Sequence, residues 1–111
     1  MQSKMFVKNE DVALEQVEPG IQRQILGYDS ELMMVRVVFE KGAVGALHNH
    51  PHRQVSYVEY GSFEITINGE KSILSKGDSF MVPPDSDHGA VALEAGCLID
   101  VFNPVRNDFL E

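Results

Sequence analysis

A single cysteine, Cys97, among 111 residues excludes an internal disulfide. With no second thiol and no histidine beside it, Cys97 is expected as a small buried apolar residue and not as a nucleophile. Cationic side chains are also scarce, 9 Lys and Arg against 17 Asp and Glu, for a net charge of -8. That balance argues against nucleic acid or an anionic membrane surface as the main partner, and leaves solubility as its plain consequence. No run approaches the roughly 20 apolar residues of a membrane span, and the opening Met1 to Glu10 has no apolar leader core. The expected location is therefore the cytoplasm. Internal repeats, low-complexity stretches, linkers and a convincing helix are absent as well. At this length, with 43% hydrophobic residues, the chain is one domain able to bury a core.

What is present is short strands. From Ile21 onward the hydrophobic period is close to two, with turn signals between the runs. Ile21 to Tyr28 ends at Asp29-Ser30. Leu32 to Glu40 puts Val35, Val37 and Phe39 on one face and stops at Lys41-Gly42, and Gly42 to Ala46 is expected as a small, flexible loop. Val55 to Tyr60 turns at Gly61. Phe63, Ile65 and Ile67 alternate with Glu64 and Thr66, and Asn68-Gly69 then predicts a type I′ hairpin into Lys71 to Ser75. Lys76-Gly77-Asp78 is a further turn before Phe80 to Val82, which Pro83-Pro84 ends because proline cannot donate to a ladder. The strand from His88 to Leu93, the turn at Glu94 to Gly96 and the strand Leu98 to Phe102 complete the chain. Residues 1-20 are expected as an N-terminal arm or edge strand and 21-111 as the barrel. Many evenly spaced strands indicate an all-β sandwich or small barrel, and a jelly roll closes most of their edges at this length.

Three of the four histidines lie in His48-Asn49-His50-Pro51-His52-Arg53-Gln54, and the fourth is His88. Neutral imidazole is the commonest protein ligand for a transition metal. In an extended strand His48, His50 and Gln54 share a parity, so they converge if the segment lines a concavity and bends at Pro51. The competing reading is a chance cluster in a surface loop. His52 shares the parity but lies in the bend, and a place behind the ligands or at the rim is favoured over ligation. Ser56, Tyr57 and Tyr60 are expected to serve strand packing.

Asp100 interrupts an otherwise apolar strand, and its parity partners Leu98 and Phe102 face wherever it faces. It is either a solvated rim residue or a carboxylate inside the barrel, where burial raises its pKa and a nearby cation or Arg106 lowers it. Phe102 suits a core or a substrate wall. Arg106 suits a surface charge or, as a fixed fork of donors, a carboxylate clamp.

Two segments match in order the two motifs of the cupin superfamily. Gly42, His48, His50, Gln54 and Gly61 fall on the first, with Gln54 where the pattern has Glu. Gly77, Pro83 and His88 fall on the second, with Asp85 where it has Gly and Ala92 at its later Asn. The run Gly45 to Gln54, the segment Val82-Pro83-Pro84 leading to His88-Gly89, and the ending Leu98 to Leu110 resemble the KdgF-type cupins of pectin and alginate breakdown.

That resemblance implies a cupin jelly-roll barrel that converts 4,5-unsaturated monouronates, the products of polysaccharide lyases, from ring to linear keto form. It implies metal ligands at His48, His50, Gln54 and His88, and catalytic roles for Asp100, Phe102 and Arg106. The cofactor is one divalent transition metal; nickel, zinc, iron and manganese all suit imidazole and amide donors. Because all four ligands are neutral, the ion keeps its full charge and is a stronger Lewis acid than beside a glutamate. The implied partner is a small sugar acid. Edge strands and the N-terminal arm point to a homodimer. Two other functions share the fold, a metal-dependent dioxygenase and a non-catalytic small-molecule binding module.

Overall fold

A computed structural model describes residues 1–111. Ten strands follow one another: β1 (Glu15–Glu18), β2 (Ile21–Tyr28), β3 (Met33–Phe39), β4 (Val44–His48), β5 (Arg53–Tyr60), β6 (Ser62–Ile67), β7 (Glu70–Ser75), β8 (Ser79–Val82), β9 (His88–Ala92) and β10 (Gly96–Asn103). The only helical backbone is two short 3-10 turns, Asn9–Asp11 and Asn107–Leu110. One sheet has the order β1-β2-β3-β10-β5-β8 and the other β4-β9-β6-β7, with every neighbouring pair antiparallel. The two antiparallel sheets bear out the expected all-β architecture.

Alternation along the strands decides which face is covered. In β5, Gln54, Ser56 and Val58 are buried while Arg53, Val55 and Tyr57 face out. In β6, Phe63 and Ile65 turn inward. The interior holds two apolar clusters, one of Ile21, Phe39, Val58, Phe63, Ile65, Ala92 and Leu98, the other of Met33, Val35, Phe102 and Val105. Phe39 and Phe63 meet edge to face at 5.1 Å, a favoured aromatic geometry.

The hairpin at Asn68-Gly69 forms as its residues predict, with φ of 50° and 82° and Ile67 paired to Glu70. Gly61 meets a tighter demand: at φ 89°, a Cβ there would lie 2.5 Å from Gly96 Cα, so no other residue fits. The reading of Gly42 to Ala46 as a loop is corrected, because Val44 already begins β4 against β9. Tyr57 and Tyr60, expected to serve strand packing, are 49% and 39% exposed.

The N-terminal segment is tied to the barrel by Gln24, whose buried amide donates to Asn9 O, Asn9 Oδ1 and Val12 O at 2.8–3.1 Å. β1 then pairs with β2 at the sheet edge. This edge also shapes the interior, since Val17 and Glu18 line a cavity shared with His48, His88 and Asp100.

Candidate metal centre and active-site cavity

His48, His50 and His88 come together, with one ring nitrogen from each within 4.8 Å of the others. The shared strand parity inferred from sequence is not the cause. β4 ends at His48, where a register irregularity after Gly45 sets it opposite His88 of β9. His50 lies in the bend before β5, and Gln54 is inside β5. The candidate cluster is thus built from the paired ends of two strands, a loop and a third strand. The loop is held from outside: Asp85, at φ 61°, donates its N–H to His50 O at 2.8 Å, and Asn49 Nδ2 donates to Asp87 Oδ1 at 2.8 Å. Aspartate tolerates this left-handed backbone better than most residues, which lets it stand where the motif has glycine.

Each imidazole is oriented by a backbone carbonyl two residues away. His48 Nδ1 lies 2.9 Å from Ala46 O, His50 Nδ1 3.1 Å from His52 O, and His88 Nδ1 2.9 Å from Ser86 O. A carbonyl only accepts, so each Nδ1 carries the proton and each Nε2 presents a bare lone pair. His88 Nε2 is buried with no hydrogen-bond partner. His50 Nε2 is 3.0 Å from Gln54 Oε1, itself an acceptor. Facing lone pairs in a buried site call for a proton or a cation between or beside them. Burial disfavours the proton: it pushes the His88 pKa down to about 4, and lowers that of His50, where the Arg106 charge acts in the same direction. Three imidazoles and an amide oxygen therefore fit a divalent transition metal.

A cavity of about 360 Å³ opens on this cluster, lined by His48, Gln54, His88, Asp100, Phe102 and Arg106 among others. It brings together all the expected site residues except His50, which joins the same cluster through its Nε2. Asp100 faces the interior and not the solvated rim. Burial raises its carboxyl to about 6, against the Ser56 hydrogen bond and the nearby Arg106 and His48 charges. Phe102 is 2% exposed and meets the His50 ring edge to face at 5.7 Å, so it is both core and cavity wall. Arg106 donates from Nε and Nη2 to the two Asp108 carboxylate oxygens at 3.1 and 2.8 Å, and its guanidinium lies 5.0 Å from the Phe102 ring centre. Held in this way, the guanidinium is fixed in place with Nη1 left free of protein hydrogen bonds.

His52 stands outside the cluster. Its carbonyl orients His50, and its ring lies 5.4 Å from the His50 ring. Cys97 is wholly buried, and burial is the main cause that pushes its thiol up to about 12, which suits the inert role expected of it.

Three residues were not expected here. Ser56, assigned to packing, accepts a hydrogen bond from Gln54 Nε2 at 2.9 Å and donates to Asp100 Oδ1 at 2.6 Å. Its parity with Gln54 was the available signal. Arg23 and Phe109 also line the cavity, with the Arg23 and Arg106 guanidinium groups 4.0 and 4.2 Å from the Phe109 ring centre. No local pattern marks either one.

Comparison with known proteins agrees with the fold. Residues 35–102 match the cupin domain family. The chain is 47% identical over 109 residues to the pectin degradation protein KdgF of Dickeya dadantii (strain 3937), covering 96% of this chain and 99% of that one. A crystal structure of an RmlC-like cupin from Shewanella frigidimarina superimposes with a TM-score of 0.95 at 48% identity, covering 97% of each chain. The structure of KdgF from Halomonas sp. superimposes with a TM-score of 0.91 at 46% identity, covering 96% of this chain and 99% of that one.

Proposed function

This chain belongs to the cupin family and resembles KdgF along nearly its whole length, and from that premise we propose that it opens the ring of 4,5-unsaturated monouronates in pectin catabolism. The observation that carries the reading is Asp100, an interior carboxylate hydrogen-bonded through Ser56 to Gln54 in the cavity that also holds Arg106.

The substrate is a cyclic enol ether with a hemiacetal at C1. Loss of the C1 hydroxyl proton and cleavage of C1–O5 leave an aldehyde at C1 and an enolate at C5, the O5 atom keeping the electron pair of the broken bond. Protonation at C4 then gives the 5-keto acid, so the net change is an isomerisation with no oxidant and no lost atom. A group is needed to take and return a proton, another to fix the carboxylate, and positive charge is needed near the ring oxygen.

Asp100 takes the hydroxyl proton and returns it to C4. A carboxyl raised to about 6 exchanges protons readily near neutrality. Arg106 holds the substrate carboxylate through Nη1, which makes no protein hydrogen bond while Nε and Nη2 are held by Asp108. Phe102 closes the wall beside them. His48, His50, Gln54 and His88 would hold the divalent metal, which when bound supplies Lewis acidity toward a substrate oxygen.

We place the protein in the cytoplasm, which suits its single unpaired thiol, and no helix is long and apolar enough to cross a membrane. Its proposed assembly is a homodimer through the outer face of the larger sheet. There Met34, Val101, Val55 and Met81 stand side by side in register across four strands. This uncharged row, with Met34, Val55 and Met81 41–50% exposed, is the face on which two copies of a chain of charge -8 meet with least repulsion.

Product identification tests the reaction. Nuclear magnetic resonance of the mixture should show the anomeric and vinyl signals replaced by those of a hydrated aldehyde and a C4 methylene. Oxygen consumed in step with turnover would instead place the protein among the dioxygenases.

A further inference from the structure

We propose that Ser56 is a positioning residue that decides which end of the Gln54 amide faces the metal. The inference rests on reading His48, His50, Gln54 and His88 as a metal centre. A glutamine amide has two ends of nearly equal shape, and only the carbonyl oxygen is a ligand. Packing cannot tell them apart. Hydrogen-bond polarity can.

The polarity here starts at Asp100. Asp100 of β10 lies opposite Ser56 of β5, and Gln54 lies two residues before Ser56 on the same face. A hydroxyl has one proton, and the Ser56 proton goes to Asp100 Oδ1 at 2.6 Å. What Ser56 turns toward Gln54 is thus a lone pair, which accepts from the amide Nε2 at 2.9 Å. The amide oxygen is left pointing at His50 Nε2, 3.0 Å away, where the cluster gathers. A reversed amide would set its oxygen against the Ser56 oxygen and its NH₂ into the ligand position. Ser56 is 1% exposed, so no solvent is available to relieve that mismatch. The next inward residue of β5, Val58, would offer no such polarity at this position.

The experiment is a zinc titration against a chromophoric chelator on metal-stripped, full-length protein, without substrate. Ser56→Ala should weaken zinc binding about tenfold, as outer-shell substitutions do, while Ser56→Thr, which keeps the hydroxyl, stays within about twofold. In a Gln54→Glu background Ser56→Ala should change the affinity less than about twofold, since a carboxylate has two equivalent oxygens and no wrong end. No loss in the native background overturns the proposal, and so does an equal loss in both backgrounds, which would mark a structural effect. If circular dichroism shows Ser56→Ala unfolded, Ser56→Cys, of similar volume but a weak acceptor, takes its place under the same criteria. The readout is independent of catalysis: zinc binding as expected with no turnover overturns the ring-opening reading alone, and turnover with unaltered affinity overturns the role of Ser56 alone.

Discussion

Asp100 and Ser56 face each other across β10 and β5, joined by a 2.6 Å hydrogen bond. A carboxylate inside an apolar strand costs stability unless it is hydrogen-bonded, and this one accepts from Ser56 while lining the same cavity as His48 and His88. Replacing it with a shape-matched amide isolates its proton chemistry. Asp100→Asn should lower kcat about 10²- to 10⁴-fold while metal content, read by elemental analysis, stays that of the wild type. Normal turnover in this variant would remove Asp100 from the mechanism.

Arg106 is fixed by Asp108 and by two aromatic rings, so a lysine reaching the same place would lose both the fork and the support. Arg106→Lys should raise KM for the unsaturated uronate about tenfold or more, the scale of a lost hydrogen bond to a charged group. Steady-state kinetics check this; a change confined to kcat would contradict the clamp.

The metal-free protein should show opposed titrations. His88, lowered to about 4, and His50, lowered as well, stay neutral when folded but take protons when unfolded, so their contribution is complete above the free value of about 6.5 and is lost as pH falls from there toward 4. Asp100, raised to about 6, has the reverse sign: it holds its proton more tightly when folded, so acidification over the same range stabilises. Removing that opposing contribution should steepen the acid loss. Thermal melts of metal-free Asp100→Asn between pH 6 and 4 should fall faster than those of the wild type; parallel curves would contradict the buried-carboxylate account.

Val55 lies on the proposed dimer face, 45% exposed and outside the cavity. Val55→Glu places a like charge at the centre of a two-fold contact. Light scattering should report a dimer for the wild type and a monomer for the variant, with far-ultraviolet circular dichroism unchanged. A monomeric wild type would refute the assembly.

The barrel was legible because its strands are amphipathic and its turns are chemically marked, as Asn68-Gly69 and the proline stop at Pro83-Pro84 illustrate. Asp100 announced itself by breaking a local rule, a charge in an apolar strand. The three histidines do come together, though not by the parity their spacing suggests: period-two parity does not extend from His48 through His50, since β4 ends and the chain bends between them. Convergence comes instead from the pairing of His48 with His88, residues 40 positions apart. Ser56 was passed over because a serine in a strand is unremarkable until its neighbour Gln54 is known to face a site. Arg23 reaches the cavity only once β2 closes the sheet, and Phe109 only once the chain folds back in the turn after Arg106, contacts that no local pattern encodes.

The central claim is tested most directly by adding metal-loaded protein to freshly generated 4,5-unsaturated monouronate and following the ultraviolet absorbance of the enol ether under nitrogen. The account predicts that its loss is accelerated well beyond the spontaneous rate, that chelation removes the acceleration and that restoring the metal recovers it, all without oxygen. Loss at the spontaneous rate with pectin-derived substrate would contradict the account and leave a cupin barrel whose metal centre serves another chemistry.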